Sequence, residues 1–226
     1  MDDPTGAAVM SGLAWFTWRQ QRSIVVAGLA VVAGIALAGY IETHLTFHLL
    51  AASNTRALAA FLPAALGVFW GAPLLARPLE NHTADLIWTQ TVPRVRWFAA
   101  ALVGLGVATI GVALAVRAIL SAVLADRFDG HYTHDVVSVA AIGYACFAVA
   151  LGVFAGAAIG RVEPAMVVTL LVYAVVRFAG GEVRWREPDW WHRDDLPWIE
   201  LAAYGGLAAA LIAGAFVVVA RRGTGR

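Results

Sequence analysis

Residues 77 to 97 read RPLENHTADLIWTQTVPRVRW, and they separate two runs with scarcely a charge, ALAAFLPAALGVFWGAPLLA at 57–76 and WFAAALVGLGVATIGVALAVRAI at 97–119. A helix rises 1.5 Å per residue, so about 20 apolar residues bridge a hydrocarbon core roughly 30 Å thick. Each run is long enough. Lipid offers no partner to an unpaired backbone amide, so a run that crosses it must be helical. The polar stretch is therefore a connection between two membrane helices, and the fold is all-α and integral to a membrane.

The whole chain agrees. Of its 226 residues 61% are hydrophobic and only 14% charged, with a mean hydropathy of +0.74, against roughly 25% charged in an ordinary soluble domain. All 16 basic residues are arginine. Without a lysine there is no Walker A loop, whose lysine must reach the nucleotide phosphates, so this chain is not itself a P-loop ATPase. The single cysteine, Cys146, excludes an internal disulfide and a cysteine-based metal site. No cleavable signal pattern occupies residues 1–22, so the first span is expected to stay in the mature protein.

Six stretches reach spanning length: Ser23 to Ile41, Ala57 to Ala76, Trp97 to Ile119, Val136 to Gly160, Pro164 to Ala179 and Trp198 to Ala220. With a cytoplasmic N-terminus the inner segments hold nine arginines and five carboxylates, a net of +4, while the outer loops hold five arginines and eight carboxylates, a net of −3. The arginine excess places both termini in the cytoplasm. Residues 11–22, SGLAWFTWRQQR, put Trp15, Phe16 and Trp18 ahead of Arg19 and Arg22, the pattern of an interfacial elbow helix with arginines toward anionic lipid. Expected organisation is thus a tail and elbow over 1–22, a six-span domain over 23–220 and a short cytoplasmic tail over 221–226.

The opening stretch then lies in the cytoplasm. Thr83 can cap a short helix and Asp85 falls in its first turn, where a carboxylate complements the helix dipole. Pro93 disfavours helix at Val92, leaving about two turns. Two turns are not stable alone in water, so the helix needs a partner.

Several other groups bear on function. Gly152, Gly156 and Gly160 recur at every fourth position of the fourth span, a small-residue face that lets helices approach closely, either within one subunit or between two. Arg177 near the outer end of span 5 and Glu200 at the start of span 6 are ionisable residues at membrane depth, where a partner is needed. They are expected to pair and close the outer end of a cavity, with snorkelling to the headgroups as the plain alternative. The outer loop DRFDGHYTHD at 126–135 has carboxylates and imidazoles suited to a divalent ion, but turn-rich loops collect the same residues, and no metal is expected. The segment 181–197, with its tryptophans and alternating charges, reads as an interfacial belt and polar loop. No nucleophile elbow, zincin helix or paired catalytic carboxylate occurs in the spans, so no catalytic residue is assigned.

Three stretches resemble the permease subunits of bacterial type-2 ATP-binding-cassette (ABC) transporters: WFTWRQQR at 15–22, GAPLLARPLENHTADLIWTQTVPRVRW at 71–97, and GYACFAVALGVFAGAAIGRVEPAMVVTLLVYAVVRF at 143–178. The run Trp88, Thr89, Gln90 followed by Arg94 and Trp97 is the most specific of these. The resemblance implies a permease in the bacterial cell membrane that pairs as a homodimer or heterodimer, touches lipid but no nucleic acid, binds no cofactor itself, and sits on separate ATPase subunits that bind ATP and magnesium. It also implies that the ATPase docks on a coupling helix between spans 2 and 3, which makes Glu80, Thr83, Asp85, Trp88, Gln90 and Arg94 the contact candidates. Two departures from the family pattern are visible. Pro78 stands where relatives commonly carry an acidic residue, so the coupling segment is reached by a different bend, and the segment between spans 5 and 6 is only about twenty residues.

An exporter permease is the leading expectation, with an immunity, sensor or scaffold protein using the same spans as the alternative. Few ionisable groups lie deep in the spans, which favours an amphipathic or lipid-like substrate.

Overall fold

The computed structural model describes residues 26–38, 40, 60–81, 94–124, 138–186 and 196–222. Every regular element among them is helical: α1 (Val26–Ala38), α2 (Ala60–Glu80), α3 (Arg94–Leu124), α4 (Ala140–Ile159), α5 (Val162–Arg186) and α6 (Leu196–Arg221). Five of these, α2 to α6, are long and apolar enough to cross a membrane. They correspond to expected spans 2 to 6. The first expected span is represented by α1, which is shorter, and its flanks lie outside the described residues.

Helix α4 is the centre of the bundle. Its sequence, AAIGYACFAVALGVFAGAAI, carries no charge on any face, and 72% of its apolar window is buried inside the chain against 17% for α5. The many alanines and glycines of α4 let several helices approach it at once. It packs against α2, α3, α5 and α6. The main core joins Leu66 and Trp70 of α2, Phe98 and Leu105 of α3, Val153 of α4 and Val219 of α6. Phe98 and Phe216 meet edge to face with ring centroids 4.6 Å apart, a favoured aromatic geometry. By contrast, α5 turns Leu171, Val175 and Phe178 outward. In lipid such a face carries no desolvation penalty.

Helices α2 and α4 approach one another closely, and small residues on both permit it. A Cβ on Gly152 would collide with the Gly67 carbonyl and lie 2.7 Å from the Ala72 nitrogen, and one on Gly156 would strike the Ala72 carbonyl. From the other side, a Cβ on Gly67 or Gly71 would run into the carbonyls of Ala148 or Val149. The glycine seam is therefore spent inside one chain. Over Gly67–Gly71 the helix widens to π form, with the Ala72 N–H donating to the Gly67 carbonyl. Pro73 follows directly. It has no N–H to offer the carbonyl four residues back and its ring crowds that position, a cause of local helix distortion.

Gly160 does not extend the glycine seam. It ends α4 in the left-handed conformation at φ 73°, its N–H donating to the Gly156 carbonyl at 3.0 Å. The chain enters α5 two residues later. A side chain at that φ is strained, so Gly160→Ala should lower stability by about 1–2 kcal/mol. Thermal unfolding in detergent would show the loss, and an unchanged midpoint would contradict the left-handed turn.

Helix α5 also exceeds the expected span. It starts at Val162, with Pro164 tolerated in the first turn, and continues through Gly180 and Gly181 to Arg186. The first part of the expected 181–197 loop is therefore helix. Nor does Pro78 end α2, which runs on to Glu80 with Asn81 closing it through a 3.0 Å bond to the Arg77 carbonyl.

Candidate functional site

Two polar clusters stand at opposite ends of α2, roughly 26 Å apart at helical rise. One begins at Glu80. Its Oε2 accepts a hydrogen bond from the Val162 N–H at 2.9 Å, satisfying one of the amides that the first turn of α5 leaves without a helical partner. A carboxylate also complements the positive end of that helix. Arg222, just past α6, donates from Nη2 to the Ala158 carbonyl at 2.9 Å, which places a cation at the C-terminal end of α4. The ends of α2, α4, α5 and α6 thus meet at the short turn around Gly160.

Glu80, expected to face an ATPase, is exposed, and one of its oxygens bonds the first amide of α5. Of the other coupling candidates, Thr83, Asp85, Trp88 and Gln90 lie outside the described residues, and Arg94 opens α3. The elbow at 11–22 and the loop at 126–135 lie outside them as well.

The second cluster surrounds Tyr144. Its hydroxyl donates to Glu200 Oε2 at 2.6 Å, a charge-assisted bond of the short, strong kind. The Arg177 guanidinium lies 4.2 Å from the centre of the same ring, within the range of a cation–π contact. Arg177 and Glu200 are brought together on one tyrosine, the first over its plane and the second at its edge. Aromatic neighbours hold the ring in place: Tyr204 meets it edge to face at 4.7 Å, and Phe147 meets Tyr204 at 5.5 Å. Beside the cluster is a small cleft of about 40 Å³, walled by Leu62, Pro63, Val116 and Ala145 and bounded by Tyr144, Tyr173 and Arg177. Its walls are apolar, and among the described residues its charged group is Arg177.

Tyr144 and Arg222 were not singled out by sequence reasoning. A lone tyrosine in an apolar run reads as core, and its role depends on two residues from other helices. The Gly67-x-x-x-Gly71 repeat was not singled out either, although its spacing, the same as that of Gly152 and Gly156, is a signal for it.

A family model described as ABC-2 membrane transporter related matches residues 7–184. The chain belongs to that family. The match takes in the segment 77–97 and α1 to most of α5, and it bears out the expected kinship with ABC-2-type permeases. Membership makes the chain the membrane component of such a transporter, a role that is not itself catalytic, and the five apolar helices make it a multi-pass membrane protein. No curated protein and no solved structure matches it.

Proposed function

We propose that this chain is the permease subunit of an ABC exporter. Two copies, or one copy and a related partner, form the substrate pathway in a bacterial cell membrane, with both termini cytoplasmic and lipid around the outward faces. The work comes from a separate ATPase that binds ATP and magnesium and docks on a coupling segment offering Thr83, Asp85, Trp88 and Gln90, with Arg94 at the start of α3. The observation that carries this reading is the family match across residues 7–184 of a chain that lacks lysine altogether. A transporter component with no phosphate-binding lysine must receive its energy by contact. The few ionisable groups deep in the spans favour an amphipathic or lipid-like substrate.

The test is copurification of the permease from its native membrane, with any Walker A ATPase that it retains identified. Wild type should retain the ATPase, and an Asp85→Ala, Trp88→Ala, Arg94→Ala triple variant should lose it by tenfold or more, about 1.4 kcal/mol or greater. Equal recovery with the triple variant would refute the docking assignment.

A further inference from the structure

The Glu80 cluster has a geometry that the docking reading does not use. Glu80 is the last residue of α2, directly ahead of the segment proposed to receive the ATPase, yet its carboxylate reaches to the first amide of α5. We infer that the Glu80 to Val162 bond is a tie that carries displacement of the coupling segment into α4 and α5 through the Gly160 turn; the inference rests on the coupling reading. Glu80 is on this account a positioning residue, acting through α5 and not by touching the ATPase.

Three features make the tie effective. First, α2 and α4 are pressed together so closely that Gly152 and Gly156 have no room for a Cβ, so the two helices cannot slide without separating. A push on the end of α2 therefore moves α4 with it. Second, α4 joins α5 through only Gly160 and Arg161, and the left-handed Gly160 is the point about which the two helices can change their angle. Glu80 bridges that joint, binding the far side of it at Val162. Third, Arg222 holds the near side, bonding the Ala158 carbonyl from the end of α6. The Arg222 bond fixes α4 to the end of α6, while the Glu80 bond alone reaches across the joint to α5, so a change of angle at Gly160 strains the Glu80 bond. The Ala72, Ala76, Ala155 and Ala165 cluster packs small side chains beneath the same turn, which keeps the ends of α2, α4 and α5 in register.

Hydrogen exchange read by mass spectrometry tests the tie in two arms. In the permease alone, Glu80→Ala should speed exchange of the Val162, Glu163 and Ala165 amides by roughly fivefold, the size that a lost helix cap implies. Glu80→Gln keeps an acceptor oxygen and should fall between that variant and wild type. In the second arm, adding the ATPase with a non-hydrolysable ATP analogue should change exchange at 158–165 in wild type but not in Glu80→Ala, while the ATPase still binds Glu80→Ala to within about twofold, because docking rests on residues 83–94. A full response at 158–165 in Glu80→Ala would overturn the relay. Exchange in Glu80→Ala equal to wild type in the permease alone would overturn the tie itself, whatever the ATPase does. Failure of the ATPase to bind wild type would instead sink the coupling reading, and the first arm keeps the two failures apart.

Discussion

Gly152→Leu is expected to leave almost no correctly packed protein. The first atom of the new side chain already collides with the Gly67 carbonyl and sits 2.7 Å from the Ala72 nitrogen, and both are backbone. Backbone cannot turn aside as a flexible side chain can, so α2 and α4 must separate along their contact. Overpacking a core typically costs about 1–3 kcal/mol, and here separation also removes the close packing that holds helices together in lipid, where no hydrophobic drive joins them. The expected loss is above about 3 kcal/mol for leucine and about 1–3 kcal/mol for Gly152→Ala. Steric trapping or thermal unfolding in detergent would measure both. Gly106 and Gly111 of α3 are the controls, because a Cβ at either meets nothing within 4 Å. Alanine there should be neutral or stabilise by up to about 1 kcal/mol, as an interior helix glycine replaced in open space does. Equal effects at Gly152 and Gly111 would show that the α2–α4 seam is not closely packed.

That contrast also marks how far the sequence could be read. Spans 2 to 6 were legible because a lipid-crossing helix has no alternative structure, and length plus hydropathy locate it. The ends were harder to place. Val162 and Glu163 begin α5 ahead of Pro164, and residues 180–186 continue it, because a helix once formed runs on through polar residues that hydropathy assigns to a loop. The glycine repeat of span 4 was legible as a contact face but not as to its partner, and Gly160 shares its spacing while serving as a left-handed stop. Spacing alone does not distinguish a packing glycine from a terminating one. Arg177 and Glu200 were recognisable as groups that need partners at membrane depth. The tyrosine that receives both was not, since three helices must first assemble before Tyr144 lies between them.

Tyr144 is where the second large effect is expected. The ring is buried at 3% exposure, so replacing it by alanine deletes an aromatic from the core as well as both polar contacts. Tyr144→Ala should cost about 3–5 kcal/mol, the range for a buried aromatic truncation. Tyr144→Phe separates the two parts. It preserves the ring that Arg177 covers at 4.2 Å and that Tyr204 meets at 4.7 Å, and removes only the hydroxyl that donates to Glu200. The expected cost is about 1.5–3 kcal/mol, because a hydrogen bond to a charged group is lost in a part-buried site. Glu200→Gln should then cost less in the Tyr144→Phe background than in wild type, by about 1 kcal/mol in a double-mutant cycle. Arg177→Gln should show no such change with Tyr144→Phe, since the face of a phenyl ring still attracts a cation. If the cycle couples Arg177 and not Glu200 to the hydroxyl, the arrangement of edge and plane around Tyr144 is wrong. If neither is coupled, the residues that gather at this end of the bundle do so without depending on one another, and the Arg177 cleft has no fixed polar end.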